Sequence, residues 1–105
     1  MAGADRARLE ARWLELTREA LPAVAGDRGW PVRLNHCFQR ILLDNAAGGV
    51  WYDAVEGRPA YRHAEAALLA RAVKLGEAAL AGKADLPALN RASLGWRGRR
   101  GAAPA

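Results

Sequence analysis

The chain is short of the residues that build most alternatives to a helical domain. Cysteine occurs once, at Cys37, which excludes an internal disulfide and with it the stapled scaffolds of small secreted proteins. β-Branched residues are scarce: one isoleucine (Ile41), one threonine (Thr17) and scattered valines leave no window with the alternation a half-buried strand needs. Two histidines (His36, His63) and one cysteine lack the paired ligand spacing of a structural zinc site. No window approaches the roughly 20 apolar residues of a membrane span. Glycine-rich phosphate loops, Gly-x-Ser-x-Gly and zincin patterns are missing as well. Met1 to Arg12 is charged rather than apolar and has no secretory pattern, so the expected location is a bacterial-type cytoplasm, with no membrane association.

What the chain has in quantity is alanine, leucine, arginine and glutamate, which lose little side-chain freedom in a helix. Its 105 residues suit one domain. Alanine carries much of the 51% apolar content, so the core must come from a short list of larger side chains packed against alanine-lined helices. A first helix is expected from about Asp5, acting as its cap, with Leu9, Trp13, Leu16 and Ala20 on one face and an end or bend at Pro22. A second is expected from Pro31, carrying Leu34, Phe38 and Ile41 and stopping at Gly48-Gly49. A third spans about Ala64 to Ala81, with Leu68, Ala72, Leu75 and Ala79 on its stripe. Asp85 reads as the cap of a short last helix that reaches about Leu94 and is docked by Leu86, Leu89 and Leu94, with no periodicity beyond Gly95. The expected fold is therefore all-α, a bundle of three to four helices over residues 1–98 with a disordered basic tail over 99–105.

The net charge of +5 is concentrated at the end, where Lys83, Arg91, Arg97, Arg99 and Arg100 face one acid, Asp85. Trp96, Arg97, Arg99 and Arg100 have the spacing of a segment that tracks a phosphate backbone and stacks on a base, or else the tryptophan folds over the core and the arginines stay solvated. Arg33, His36, Arg40 and Asp44 fall at steps of three, four and four, which stacks them on one face of the second helix. That face suits an anion, since arginine presents a planar fork to phosphate or carboxylate. It reads equally as a solvated surface with an Arg40–Asp44 ion pair worth about 0.3–0.5 kcal/mol. Cys37 lies on the apolar side, about 100° from His36, and reads as a small core residue.

The runs Arg33-Leu-Asn-His-Cys-Phe-Gln-Arg-Ile-Leu-Leu-Asp-Asn45, Arg58-Pro-Ala-Tyr61 and Leu89-Asn-Arg-Ala-Ser-Leu-Gly-Trp-Arg-Gly98, with Trp51 between them, resemble short bacterial proteins catalogued as GCN5-related N-acetyltransferases. The resemblance spans about residues 30–98. It implies acyl transfer from acetyl-CoA, with His36 or Tyr61 moving the proton, and it groups the polar residues of the second helix with Tyr61 and with Asn90 to Trp96. The chain lacks the Gln/Arg-x-x-Gly-x-Gly/Ala loop with which that fold holds the coenzyme pyrophosphate. Three classes of function stand open on the residues: a binding protein that takes an anionic ligand or nucleic acid through Arg33, His36, Arg40, Tyr61 and Asn90; an acetyl-CoA-dependent transferase; and a helical subunit of a larger protein partner. No cofactor follows from the residues themselves.

Overall fold

A computed structural model describes residues 2–101, with side chains over 3–98, and every regular element among them is helical. Helix α1 (Ala2–Glu15), a π turn (Leu16–Ala20) and α2 (Leu21–Ala25) follow one another without a break. α3 (Asn35–Ala47) leads through a 3₁₀ turn at Trp51–Asp53 to the short α4 (Ala60–His63), then α5 (Ala66–Leu80) and α6 (Leu86–Gly101). The molecule measures 49 × 34 × 20 Å, so its thin dimension holds two layers of helices at ordinary packing distance. Among the described residues no helix is long and apolar enough to cross a membrane.

The first rod departs from expectation at both ends. It begins at Ala2, ahead of Asp5, whose carboxylate sits in the first turn and pairs with Arg8 at 2.9 Å instead of capping. It also runs past Pro22. In an α register the proline ring would strike the carbonyl of Arg18, but the preceding turn is widened, with the Leu21 N–H donating to the Leu16 carbonyl five residues back. Buried Thr17 sits in that turn, its hydroxyl donating to the Trp13 carbonyl at 2.9 Å, a back-bond that loosens a helix locally. The extra residue per turn lets the rod absorb the proline.

Leu16 in the π turn meets α3 and α5 where α5 is smallest. A Cβ on Gly76 would lie 3.1 Å from Leu16 Cδ1 and 3.2 Å from Leu42 Cδ1, and both leucines are fully buried. Around this point Trp13, Leu21, Phe38, Ile41, Leu69 and Leu86 close the core, with Ala25, Ala72 and Ala79 letting the rods approach. Leu75, expected on the apolar stripe of the third helix, is half-buried at the edge of this core. α5 tracks its expected span and stops before Gly82.

α3 starts at Asn35, four residues later than expected, because Pro31 to Leu34 are needed as an extended connection that returns buried Trp30 onto Phe38. The two rings meet edge to face at 5.9 Å. The helix ends at Gly48, whose φ of 76° is open to glycine and whose N–H closes on the Asp44 carbonyl. Asp85 does cap α6, accepting the Ala88 N–H at 3.0 Å. α6 then continues through Gly95 to Gly101; of the tail expected over 99–105, residues 102–105 lie outside the described residues. Leu94, expected to dock, is 51% exposed, because the seam toward α3 is occupied by Asn90, Ser93 and Arg97, and Leu94 is one residue, about 100°, past Ser93.

Several helix ends are closed by arginine. Arg28 reaches across to donate to the carbonyls of Ala79 and Leu80 at the end of α5, at 2.7 and 2.6 Å, while its guanidinium lies 5.3 Å from the centre of the Trp30 ring. Arg71 donates to the Ala46 carbonyl near the end of α3, and Arg6 to the Tyr61 carbonyl of α4. Arg12 ties α1 to α5 through a two-point bridge to Glu77.

Two outcomes follow for stability. Gly76→Val should lower it by roughly 2–3 kcal/mol in urea unfolding, since neither buried leucine has room to retreat; unchanged stability would show that the three rods are not in close contact there. The hydrogen bonds from Arg12 hold the Glu77 carboxyl below its ordinary value of 4.5, so the bridge stabilises the fold above about that pH and its contribution disappears as pH falls through the lowered value. Glu77 is 45% exposed, so screening keeps the contribution to about 1 kcal/mol or less. Urea midpoints of wild type and Glu77→Gln should differ at neutral pH and converge as pH falls through the lowered Glu77 value.

Candidate functional site

The polar residues of α3 do not face solvent as a set. Asp44 is fully buried, and its two oxygens accept four hydrogen bonds from two other elements. Ser93 Oγ donates at 2.6 Å and Arg97 Nε at 2.8 Å to Oδ2, while Arg97 Nη2 at 3.2 Å and the Trp51 N–H at 2.9 Å donate to Oδ1. The partner of Asp44 is thus Arg97 rather than Arg40. The hydrogen bonds to the carboxylate, and its charge, raise the Arg97 pKa still further above its ordinary value.

Arg40 crosses the same seam, one turn earlier. Its Nη1 donates to Ser93 Oγ at 2.6 Å and its Nη2 to Asn90 Oδ1 at 2.7 Å. Asn45 continues the line, its amide donating to the carbonyls of Ile41 and Leu89. Ser93 is the shared element, accepting from one guanidinium and donating to the carboxylate that holds the other. Among the described residues no buried side-chain polar atom is left without a partner.

The outer side of this seam opens into a concavity of about 480 Å³. α3 contributes His36, Gln39 and Arg40 to it; the 3₁₀ turn contributes Trp51 and Tyr52. Arg58, Pro59 and Ala60 form another wall, and Arg97 comes from α6. Two of the arginines rest on aromatic rings, Arg58 at 5.5 Å from the Trp51 centroid and Arg97 at 5.5 Å from that of Tyr52. The rings themselves meet edge to face at 5.5 Å. The 58–60 wall is set by Gly57, whose φ is 108° and whose backbone lies against the His63 ring: a Cβ there would fall 2.8 Å from His63 Cγ. The Arg58–Pro59 peptide is cis.

Donor accounting shows what this arrangement can do. Arg97 uses Nε and Nη2 on Asp44 and keeps Nη1; Arg40 uses one hydrogen of each terminal nitrogen and keeps Nε. Arg58 has no acceptor on it among the described residues. Three guanidinium groups, two of them held by the α3–α6 seam, therefore line one cavity beside His36 with N–H groups left over. The Gln39 amide nitrogen donates to Thr17 Oγ1 at 3.1 Å, which leaves its carbonyl oxygen as an acceptor in the same wall.

Of the residues singled out in the sequence, the structure brings His36 and Arg40 to this cavity and holds Asn90 just behind it on Arg40. Arg33 stands apart: it precedes α3, and its guanidinium lies against Gly26 at the end of α2, with Nη1 3.8 Å from where a Cβ would be. Tyr61 is buried in the core under the Arg62 guanidinium. Of the expected nucleic-acid segment, Arg97 lines the cavity and Trp96 is half-buried on α6, while the side chains of Arg99 and Arg100 lie outside the described residues. Cys37 is half-buried.

The residues that sequence reasoning missed are Arg58, Trp51, Tyr52 and Arg97 in its pocket role. Arg97 had a signal: Asn90, Ser93 and Arg97 are spaced three and four apart and share a helix face once Gly95 is read as tolerated. Arg58 had none, because a loop delivers it. A larger groove of about 790 Å³ runs along the outside of α1, where Arg8, Arg12 and Glu15 are engaged in ion pairs on a single rod. Among the described residues no three His, Cys, Asp or Glu side chains cluster as a metal site. No protein-family model, curated protein or solved structure matches this chain.

Replacing Asp44 by asparagine keeps the volume but removes the charge that holds Arg97 and sets an amide against the Ser93 hydroxyl. The expected loss is about 2–3 kcal/mol in urea unfolding. Ser93→Ala should cost about 1 kcal/mol. An Asp44→Asn protein as stable as wild type would mean that α6 is held by its apolar contacts alone.

Proposed function

We infer that the protein is a small binding or accessory protein for an anionic, phosphate-bearing ligand, and that the cavity between α3, the 3₁₀ turn and α6 is where it binds. One observation carries this reading: Arg40 of α3, Arg97 of α6 and Arg58 of the loop before α4 line one concavity of about 480 Å³, and each has N–H groups without an acceptor among the described residues. Arginine edges around a half-enclosed space suit the fork geometry of phosphate oxygens. The hydrogen bonds that Arg40 and Arg97 donate to Ser93, Asn90 and Asp44 hold these two side chains in place before a ligand arrives, which lowers the entropic cost of binding. Among the described residues no carboxylate lines the cavity, and Asp44, which holds Arg97, is fully buried.

Arg58 is the residue to test, because it makes no hydrogen bond that the fold depends on. In a phosphate titration followed by backbone amide NMR at low ionic strength, shifts should concentrate at His36, Arg40, Trp51 and Arg58. Arg58→Ala should weaken binding by about tenfold with the thermal midpoint unchanged, and added salt should weaken the wild type. Absence of any shift around the cavity at millimolar phosphate would remove the reading.

A further inference from the structure

We propose that the ligand is a small phosphate monoester that carries a hydroxyl group, a molecule of the glycerol phosphate or sugar phosphate class, with the phosphate on the arginines and the hydroxyl donating to the side-chain oxygen of Gln39. The phosphate half rests on the anion-binding reading above; the hydroxyl half comes from a separate set of bonds, which begin in the π turn.

Thr17, fully buried, stands 2.9 Å from the Trp13 carbonyl, which can only accept, so the single proton of its hydroxyl is spent there. Toward Gln39, at 3.1 Å, the same hydroxyl oxygen is therefore an acceptor, and the Gln39 amide has to give it the nitrogen. The fold thus decides which end of the amide is left for a ligand. Gln39 Oε1 has no donor on it, and since no buried side-chain polar atom among the described residues lacks a partner, that oxygen is open to solvent. Arg40 Nε and Arg97 Nη1 are open by the same accounting.

His36, Gln39 and Arg40 stand at i, i+3 and i+4 on α3, and all three line the cavity with Arg58 and Arg97. Among the lining side chains Gln39 Oε1 is the one polar atom that accepts and cannot donate. The bound molecule must therefore bring a donor as well as an anion. An ammonium would be repelled by the three arginines, which leaves a hydroxyl. Arg40 reaches from α3 to Asn90 and Ser93 on α6, while Gln39 reaches to Thr17 in the π turn, so a molecule that meets both is longer than a phosphate. The space, about 480 Å³, has room for one, within the range of roughly 300–1,000 Å³ usual for small-molecule sites.

The test is calorimetry on the full chain with inorganic phosphate, propyl phosphate and glycerol 3-phosphate, the two esters sharing a carbon skeleton and differing in their hydroxyls. Glycerol 3-phosphate should bind roughly five- to tenfold tighter than propyl phosphate. In Gln39→Met, which keeps the length of the side chain and removes the acceptor, that ratio should fall toward one while propyl phosphate still binds. Equal affinities of the two esters for wild type would overturn the hydroxyl and leave the anion site standing. A ratio unchanged in Gln39→Met, even with all affinities lowered, would overturn the role of Gln39 by showing that it only supports the wall. Silence from all three ligands would overturn this reading together with the anion site.

Discussion

A carboxylate with no exposure to water, Asp44, joins three parts of the chain, α3, the 3₁₀ turn and α6. Burying a charge is costly unless each lone pair is met, and here Ser93, Arg97 and the Trp51 N–H meet them from two directions. The bond to Ser93 and the fork to Arg97 fix the axial position of α6 against α3. The bond to the Trp51 N–H fixes where the chain turns after Gly49 and hence where Trp51 and Tyr52 stand. The cavity is a by-product of these constraints, since its arginine and its aromatic wall are both hung from the same two oxygens.

This dependence ties the lining of the cavity to the fold. Arg97 serves the fold through Nε and Nη2 and faces the cavity with what remains, and Arg40 is divided in the same way between the α3–α6 seam and the opening. Only Arg58, mounted on the Trp51 ring, is free of such a double role. Polar seams of this kind are harder to shift in register than apolar ones, because a slip by one residue would leave several buried groups unmatched at once. The shallow apolar stripe of α6, with Leu94 outside it, would not select a register unaided.

The basic character of the chain also takes on a specific meaning. Arg6, Arg28 and Arg71 end on helix carbonyls, and Arg12 bridges two rods through Glu77. These arginines close helix ends whose carbonyls would otherwise need water, and they favour the negative end of each dipole. Arg18, Arg33, Arg62, Lys74, Lys83 and Arg91 stay exposed elsewhere, while the cavity gathers Arg40, Arg58 and Arg97 around one opening.

Composition and periodicity were enough to determine the helical class, the apolar positions Trp13, Leu16, Phe38, Ile41 and Leu68, the glycine stop at Gly48 and the cap at Asp85, because each depends on neighbours within a turn or two. Pro22 and Gly95 misled for the same reason: local propensity marks both as breaks, while a widened π turn absorbs the first and the docking of Arg97 on Asp44 carries α6 past the second. Whether an arginine would cap a helix, cross a seam or line a cavity was decided only by tertiary structure. Its long side chain reaches partners dozens of residues away, as Arg40 reaches Ser93 and Arg28 reaches Leu80, and no spacing along the chain records which of them it will meet.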